Sequence, residues 1–312
     1  MPKKLTKLQQ KDYAWENALR DFLFFKQAQG LSNRTISDYK KHANIFFKRF
    51  PDTWGTPGFK SSVLEYMADD IKPATYNLRL VYLKTFFEYC IKEGFMTENP
   101  LKDLKKRKAQ SRIVDIHLDT LKNLLALPNQ KSFAGLRDYA LIMFTLDTGT
   151  RPNEALSLKL QNFDLAHNLV TIPGEVAKTR TPRTLPMLPK TSAIINKLIS
   201  VRYHEWPDSV PVFCTCEGTP LDVGSYRNRL RYYSNKLGQR IKPYDLRHAF
   251  ALLYLRNGGH AFGLQKTLGH TDLGMTKRYL NLSGEDLQTS HRQASPLNDL
   301  VAPKGKERMR GI

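Results

Sequence analysis

The sequence predicts a mainly α protein with a small β-sheet, divided into a helical first part and a mixed α/β second part. Three observations carry this. From about Asp12 to Leu101, apolar residues recur at three and four positions, which is the helical period. A basic run without apolar period then follows Asn99-Pro100. Beyond it, two short β-prone pieces stand among further helical patterns. The expected boundaries are a basic N-terminal segment at 1–11, a helical domain at 12–101, a basic linker at 102–112, a mixed domain at 113–290 and a tail at 291–312.

Trp15, Leu19, Phe22 and Leu23 mark a first helix that Gly30 ends. Ser32 or Asn33 can cap a second, with Ile36, Tyr39, Ala43, Phe46, Phe47 and Phe50 inward until Pro51 stops it. Arg34, Lys40, Lys41 and Lys48 lie on its other face. Ser62 to Met67 suggests a third helix. Thr75 to Lys92 suggests a fourth, with Leu78, Val81, Phe86, Phe87, Cys90 and Ile91 inward and Gly94 at its end. The aromatics here stand at core spacing and read as packing rather than as stacking platforms for bases. Lys102, Lys105, Lys106, Arg107, Lys108 and Arg112 make up the linker, either a solvated tether or a strap along a polyanion.

In the second part, Leu136 to Thr148 is an apolar helix, Gly149 a turn, and Pro152 suits the first position of a helix running to Leu158. Leu169 to Pro173 and Arg183 to Leu188 are the β-prone pieces, joined by a polar segment holding Lys178, Thr179, Arg180 and Arg183. Helical patterns then cover Thr191 to Val201, Val223 to Leu237, Asp245 to Asn257, Ala261 to Leu268 and about Gly274 to Leu280.

The chain has 312 residues, 41% of them hydrophobic, which is enough for real cores. No stretch approaches the roughly 20 apolar residues that cross a bilayer. The start lacks the apolar run of a signal peptide, so a soluble cytoplasmic protein is expected. Three cysteines, Cys90, Cys214 and Cys216, make no disulfide framework and stand at no zinc-ligand spacing with a second pair. No metal or cofactor is expected. The formal net charge of +20 favours a polyanionic partner, because each phosphate neutralised releases counterions. With no basic amphipathic helix beside a lipidation signal, nucleic acid is favoured over a membrane surface.

Arg151 follows Thr148-Gly149-Thr150 and precedes Pro152, at a turn into a helix N-terminus. There, backbone N–H groups already favour an anion and a guanidinium can add bidentate contacts. Tyr244 and Arg247, three apart in a helix opened by Pro243, share one face. Leu268-Gly269-His270 ends the next helix, and Tyr279 stands nine residues after His270. Cations, an imidazole and a phenol in this order suit phosphate chemistry.

The order Thr-Gly-x-Arg-x-x-Glu, then Lys-Thr with Arg-x-x-Pro after it, then Asp-Leu-Arg-His-Ala-Phe-Ala, Leu-Gly-His and the late Tyr resembles the tyrosine recombinase (phage integrase) family. The resemblance covers the mixed half, as the family's mixed α/β catalytic domain, and the helical half is similar to its core-DNA-binding domain, a SAM-like helix bundle. It implies Tyr279 as nucleophile, Arg151 and Arg247 as phosphate clamps, Lys178 as the hairpin lysine and His270 as the late histidine. Glu154 and His248 fit supporting positions. Tyr244 stands where the family usually has histidine, so a base role there is weakened. Arg34, Lys40, Lys41, Arg79, Lys105, Lys106, Arg107, Arg180 and Arg183 are the expected DNA contacts.

The resemblance further implies a site-specific recombinase acting on a double-stranded DNA core site. It would work through a 3′-phosphotyrosyl intermediate and a Holliday junction, as a homotetramer, for integration, excision or resolution of a mobile element. The tail would pack in trans on a neighbouring protomer. The simple type without an arm-binding domain is expected, with room for an accessory directionality protein. Two alternatives stand beside it: a DNA-binding relative with impaired chemistry, and a type IB topoisomerase-like relaxing enzyme.

Overall fold

The computed structural model describes residues 14–108, 114–177 and 179–277, together with Tyr279, Gln288, His291, Arg292, Ser295 and Leu297. The chain forms two compact units, Met1–Gln110 and Ser111–Ile312.

The first unit holds α1 (Trp15–Ala28), α2 (Asn33–Arg49), α3 (Phe59–Ala68) and α4 (Pro73–Lys92). The Ser32 hydroxyl accepts the Thr35 N–H at 3.3 Å and so caps α2. Phe22, Phe46, Phe47, Phe86 and Phe87 are fully buried, and Trp15 stacks on Phe47 with centroids 4.2 Å apart. Trp54 lies over the same cluster, edge-on to Phe47 and Phe59. The inward face of α4 differs from the expectation. Tyr76, Leu80, Leu83, Phe86, Phe87 and Cys90 are buried, whereas Leu78 and Val81 are exposed. The helix is apolar on both sides along Leu78 to Leu83, so its own periodicity does not choose a face and packing against α2 does.

The start of the basic stretch is fastened along α4 through backbone groups. Lys84 donates to the Lys102 carbonyl at 2.8 Å, and the Asn77 amide bonds both the N–H and the carbonyl of Arg107. The Arg107 guanidinium sits 3.8 Å from the Tyr76 ring centroid. Arg112 lies outside the described residues.

The second unit begins with α5 (Leu118–Ala126), a helix not expected from the sequence, followed by α6 (Phe133–Thr148) and the short α7 (Pro152–Leu156). An antiparallel sheet comes next in the order β1 (Phe163–Asp164), β2 (Leu169–Ile172), β3 (Arg183–Pro186), with Val170 opposite Leu185. Then come α8 (Pro189–Ser200), α9 (Val223–Lys236), α10 (Pro243–Arg256), α11 (Ala261–Leu268) and α12 (Leu273–Lys277). Of the helix expected at about Gly274–Leu280, α12 covers the part up to Lys277 and Tyr279 stands in a turn, while Arg278 and Leu280 lie outside the described residues.

α6 runs through the core, packing against both α8 and α10. Its Asp138 is fully buried yet satisfied: Arg137 donates at 2.7 Å, Arg229 at 2.6 Å and the Tyr233 hydroxyl at 2.8 Å. Such a buried charge is kept only because its oxygens find donors. Trp206 packs edge-on against Phe133 and covers Gly218, where a Cβ would fall 2.8 Å from the indole.

Candidate active site

Gly149 ends α6 in the left-handed region, at φ 63°, and a Cβ there would lie 2.3 Å from the Phe250 ring. The sharp turn delivers Arg151 to the N-cap of α7. The Glu154 carboxylate accepts the Arg151 backbone N–H at 3.2 Å and its Nη1 at 3.0 Å, while Arg151 Nη2 donates to the Gly269 carbonyl at 3.2 Å.

α10 starts where the Asp245 carboxylate accepts the Lys242 N–H at 2.9 Å. Arg247, 4% exposed, then faces inward. Its Nη1 donates to the Gly149 carbonyl at 2.7 Å, and its Nη2 to the Leu268 carbonyl at 2.8 Å and to His270 Nε2 at 3.1 Å.

A guanidinium only donates, so His270 Nε2 is the acceptor. The ring proton is therefore on Nδ1, which donates to Thr276 Oγ1 at 2.8 Å. These two bonds assign the tautomer of His270. Tyr279, 6% exposed, has its hydroxyl 2.7 Å from His248 Nδ1, one residue beyond Arg247 in α10.

Arg183 completes the cluster from β3, reaching Glu154 at 2.5 Å and the Thr267 carbonyl at 3.2 Å. Three guanidiniums largely shut off from solvent, of Arg151, Arg183 and Arg247, therefore stand around one carboxylate, that of Glu154. Burial pushes the Glu154 carboxyl up, but the Arg183 and Arg151 guanidiniums outweigh it and hold the group below its usual range. Arg247 has no carboxylate partner among the described residues. Burial first, then repulsion from Arg151, lower it to about 9. A site with surplus buried positive charge and unused N–H donors is built for an anion.

The structure thus brings together Arg151, Arg247, His270, Tyr279, Glu154, His248 and Arg183. Tyr244 stands in the first turn of α10 at 47% exposure, on the solvent side relative to Arg247. Lys178 lies outside the described residues. Arg180 is described in the same β2–β3 connection, at φ 54°.

Of the residues expected to touch DNA, Lys40, Lys41, Lys105, Lys106 and Arg107 have solvent-accessible side chains, and Arg34 is 84% exposed beside Asp38. Arg79 instead bonds Asp69 at 2.7 Å and lies over the Tyr66 ring, so its charge is spent inside the first unit. Sequence reasoning missed Thr276, and it missed the carbonyls of Thr267, Leu268 and Gly269. The His270 motif marked the segment, but a main-chain oxygen leaves no trace in residue identities. Among the described residues, no group of three or more His, Cys, Asp or Glu could hold a metal. No described helix is long and apolar enough to cross a membrane.

Residues 115–285 match the model of the phage integrase family. The tyrosine recombinase XerC of Alcanivorax borkumensis is 30% identical over 229 residues, covering 71% of this chain and 73% of that protein. The tyrosine recombinase XerD of Lacticaseibacillus casei is 26% identical over 292 residues, covering 89% and 98%. Among solved structures, the Tn1549 transposon integrase bound to transposon right end DNA superposes with TM-score 0.70 at 18% identity, covering 89% of this chain and 99% of that one. A lambda integrase tetramer bound to a Holliday junction gives TM-score 0.69 at 15% identity, covering 86% and 78%. At such identities these structures speak for the fold, while the family match takes in the whole cluster from Arg151 to Tyr279 and settles descent: the chain belongs to the phage integrase family, the tyrosine recombinases, which break and rejoin DNA.

Proposed function

We propose that the chain is a site-specific recombinase that cuts and reseals duplex DNA through a 3′-phosphotyrosyl intermediate. One observation carries this reading: the Tyr279 hydroxyl is held 2.7 Å from His248 Nδ1, beside buried guanidiniums in excess of their carboxylate. A phenol with an ordinary pKa near 10 attacks poorly unless its proton has an acceptor and the new charge on phosphorus is stabilised. Here the Tyr279 oxygen attacks the scissile phosphorus and its proton passes to His248 Nδ1. Arg151 and Arg247 bind the non-bridging oxygens with the N–H groups not already engaged. The bond from phosphorus to the 5′ oxygen breaks, and Lys178 protonates the leaving oxygen. Resealing is the same exchange run with another strand's 5′ hydroxyl, so the phosphodiester energy is kept.

In this reading, the first unit is the core-DNA-binding domain, with Arg34, Lys40, Lys41, Lys105 and Lys106 on the phosphate backbone. The working form is a homotetramer on two core sites, exchanging strands through a Holliday junction, with the tail docking on a neighbouring protomer. The biological role is integration, excision or resolution of a mobile element, and an accessory protein could set its direction. The DNA-bound states named for the Tn1549 and lambda integrases support this assembly by analogy.

A duplex site selected by the protein from a random-sequence pool, remade with a nick that lets the freed strand end diffuse away, is the test. The native protein traps a covalent 3′ adduct on it and Tyr279→Phe traps none. Equal adduct from the Phe variant sinks the nucleophile assignment. Tight binding with no adduct from the native protein favours a DNA-binding relative that has lost its chemistry.

A further inference from the structure

A helix ends with carbonyls that have no partner within the helix, and the negative end of the helix dipole lies there. α11 ends at Gly269 in the left-handed conformation, with the Gly269 and His270 N–H groups turned back to Lys266 and Gln265. The next three carbonyls each receive a guanidinium from a different element. Thr267 takes Arg183 Nε from β3 at 3.2 Å, Leu268 takes Arg247 Nη2 from α10 at 2.8 Å, and Gly269 takes Arg151 Nη2 from the N-cap of α7 at 3.2 Å.

Arg183 does more than cap. Its Nη2 bonds Glu154 Oε2 at 2.5 Å and its Nη1 lies 3.4 Å from Oε1, the same oxygen that receives Arg151 Nη1 at 3.0 Å. Burial does not separate Arg183 from Arg151, whose side chains are each 10% exposed, but engagement does: all three Arg183 nitrogens face protein acceptors, whereas the Nε groups of Arg151 and Arg247 face none among the described residues. Gly269 belongs to the same device, since a Cβ there would press on the Arg183 guanidinium at 3.2 Å.

We infer that Arg183 is a positioning residue rather than a DNA contact: it latches β3 to the Thr267 carbonyl at the end of α11 and, through Glu154, aims Arg151. The inference rests on the recombinase reading for what Arg151 is aimed at. The chain between β2 and β3, which contains Lys178, is thereby tied to the segment that carries His270 and Tyr279. A displacement of β3 is transmitted to the end of α11 that leads into His270. Lysine substitutes only in part, because one ammonium does not span a carbonyl and both carboxylate oxygens in a plane.

The test uses the full chain with Arg183→Gln and Arg183→Lys. Amide hydrogen exchange across 265–276 rises by about tenfold or more in the Gln variant, with the first unit unchanged. On the nicked duplex, adduct formation slows about 100-fold for Gln and less for Lys, the scale of a catalytic group misplaced by about 1 Å. Affinity for that duplex stays within about threefold and its salt slope is unaltered, whereas losing a phosphate contact lowers the slope by about one. Unchanged exchange at 265–276 overturns the latch, and so does an affinity loss with a shallower salt slope. If Arg183→Gln does not fold, the Lys variant decides by the same readings. Failure of the native protein to form adduct removes the recombinase reading instead, and the exchange measurement still decides the latch.

Discussion

Thr276→Val isolates the placement of His270 from every other property of the site. Valine matches threonine in shape, and Thr276 is fully buried, so the substitution removes one hydroxyl and leaves packing intact. That hydroxyl accepts the His270 Nδ1 proton at 2.8 Å, while Arg247 occupies Nε2 at 3.1 Å. The valine protein therefore holds a buried N–H without a partner, which costs about 1–3 kcal/mol. The ring escapes this penalty only by turning, and turning breaks its bond to Arg247. Either way His270 leaves its working geometry, and the same energy appears as a roughly 10- to 100-fold slower formation of the covalent adduct. DNA affinity should hold within about threefold, because no phosphate-facing donor is lost. The midpoint for unfolding of the second unit should fall by about 2–4 °C per kcal/mol lost. Nitrogen NMR of the imidazole gives an independent reading, as the native protein should show the Nδ1-protonated tautomer. An adduct rate equal to the native one, or a native spectrum of the other tautomer, refutes the reasoning.

The same geometry yields two more expected outcomes. Gly149→Ala should cost about 2–5 kcal/mol, combining left-handed backbone strain with overpacking against Phe250; a loss below about 1 kcal/mol in chemical denaturation would mean that the turn yields. Glu154 is held below its usual value of 4.5, so its stabilisation is complete above that pH and is lost as the pH falls through its lower folded value. Glu154→Gln should accordingly lower stability at pH 7 by about 3–5 kcal/mol and flatten the fall in midpoint below about pH 4.5; parallel acid limbs for the two proteins would contradict this.

The side chains that the structure gathers, those of Arg151, Arg247, His270 and Tyr279, were legible in the sequence through the order and spacing of the short motifs that carry them. What joins them was not. The Thr267, Leu268 and Gly269 oxygens belong to the main chain, which is the same at every position. Thr276 drew no notice because a threonine in a short helix has many ordinary reasons to be there. In the fold, α2 could be placed from its single apolar stripe and its Ser32 cap, whereas α4, apolar on both sides, could be placed but not oriented. α5 escaped because nine residues barely show a period and its cap is His117 rather than a serine or aspartate. β1 escaped because two residues cannot alternate.

The three tryptophans are divided between the units: Trp15 and Trp54 lie in the aromatic core of the first, and Trp206 stands alone in the second, over Gly218. A chain of two units need not melt as one, and then a single midpoint is not a defined quantity. Replacing Trp15 and Trp54 by phenylalanine would leave one tryptophan, whose emission, excited at wavelengths that tyrosine does not absorb, follows the second unit alone. The protein therefore contains its own optical means of telling whether a substitution near Tyr279 loosens the catalytic half or merely unsettles its companion.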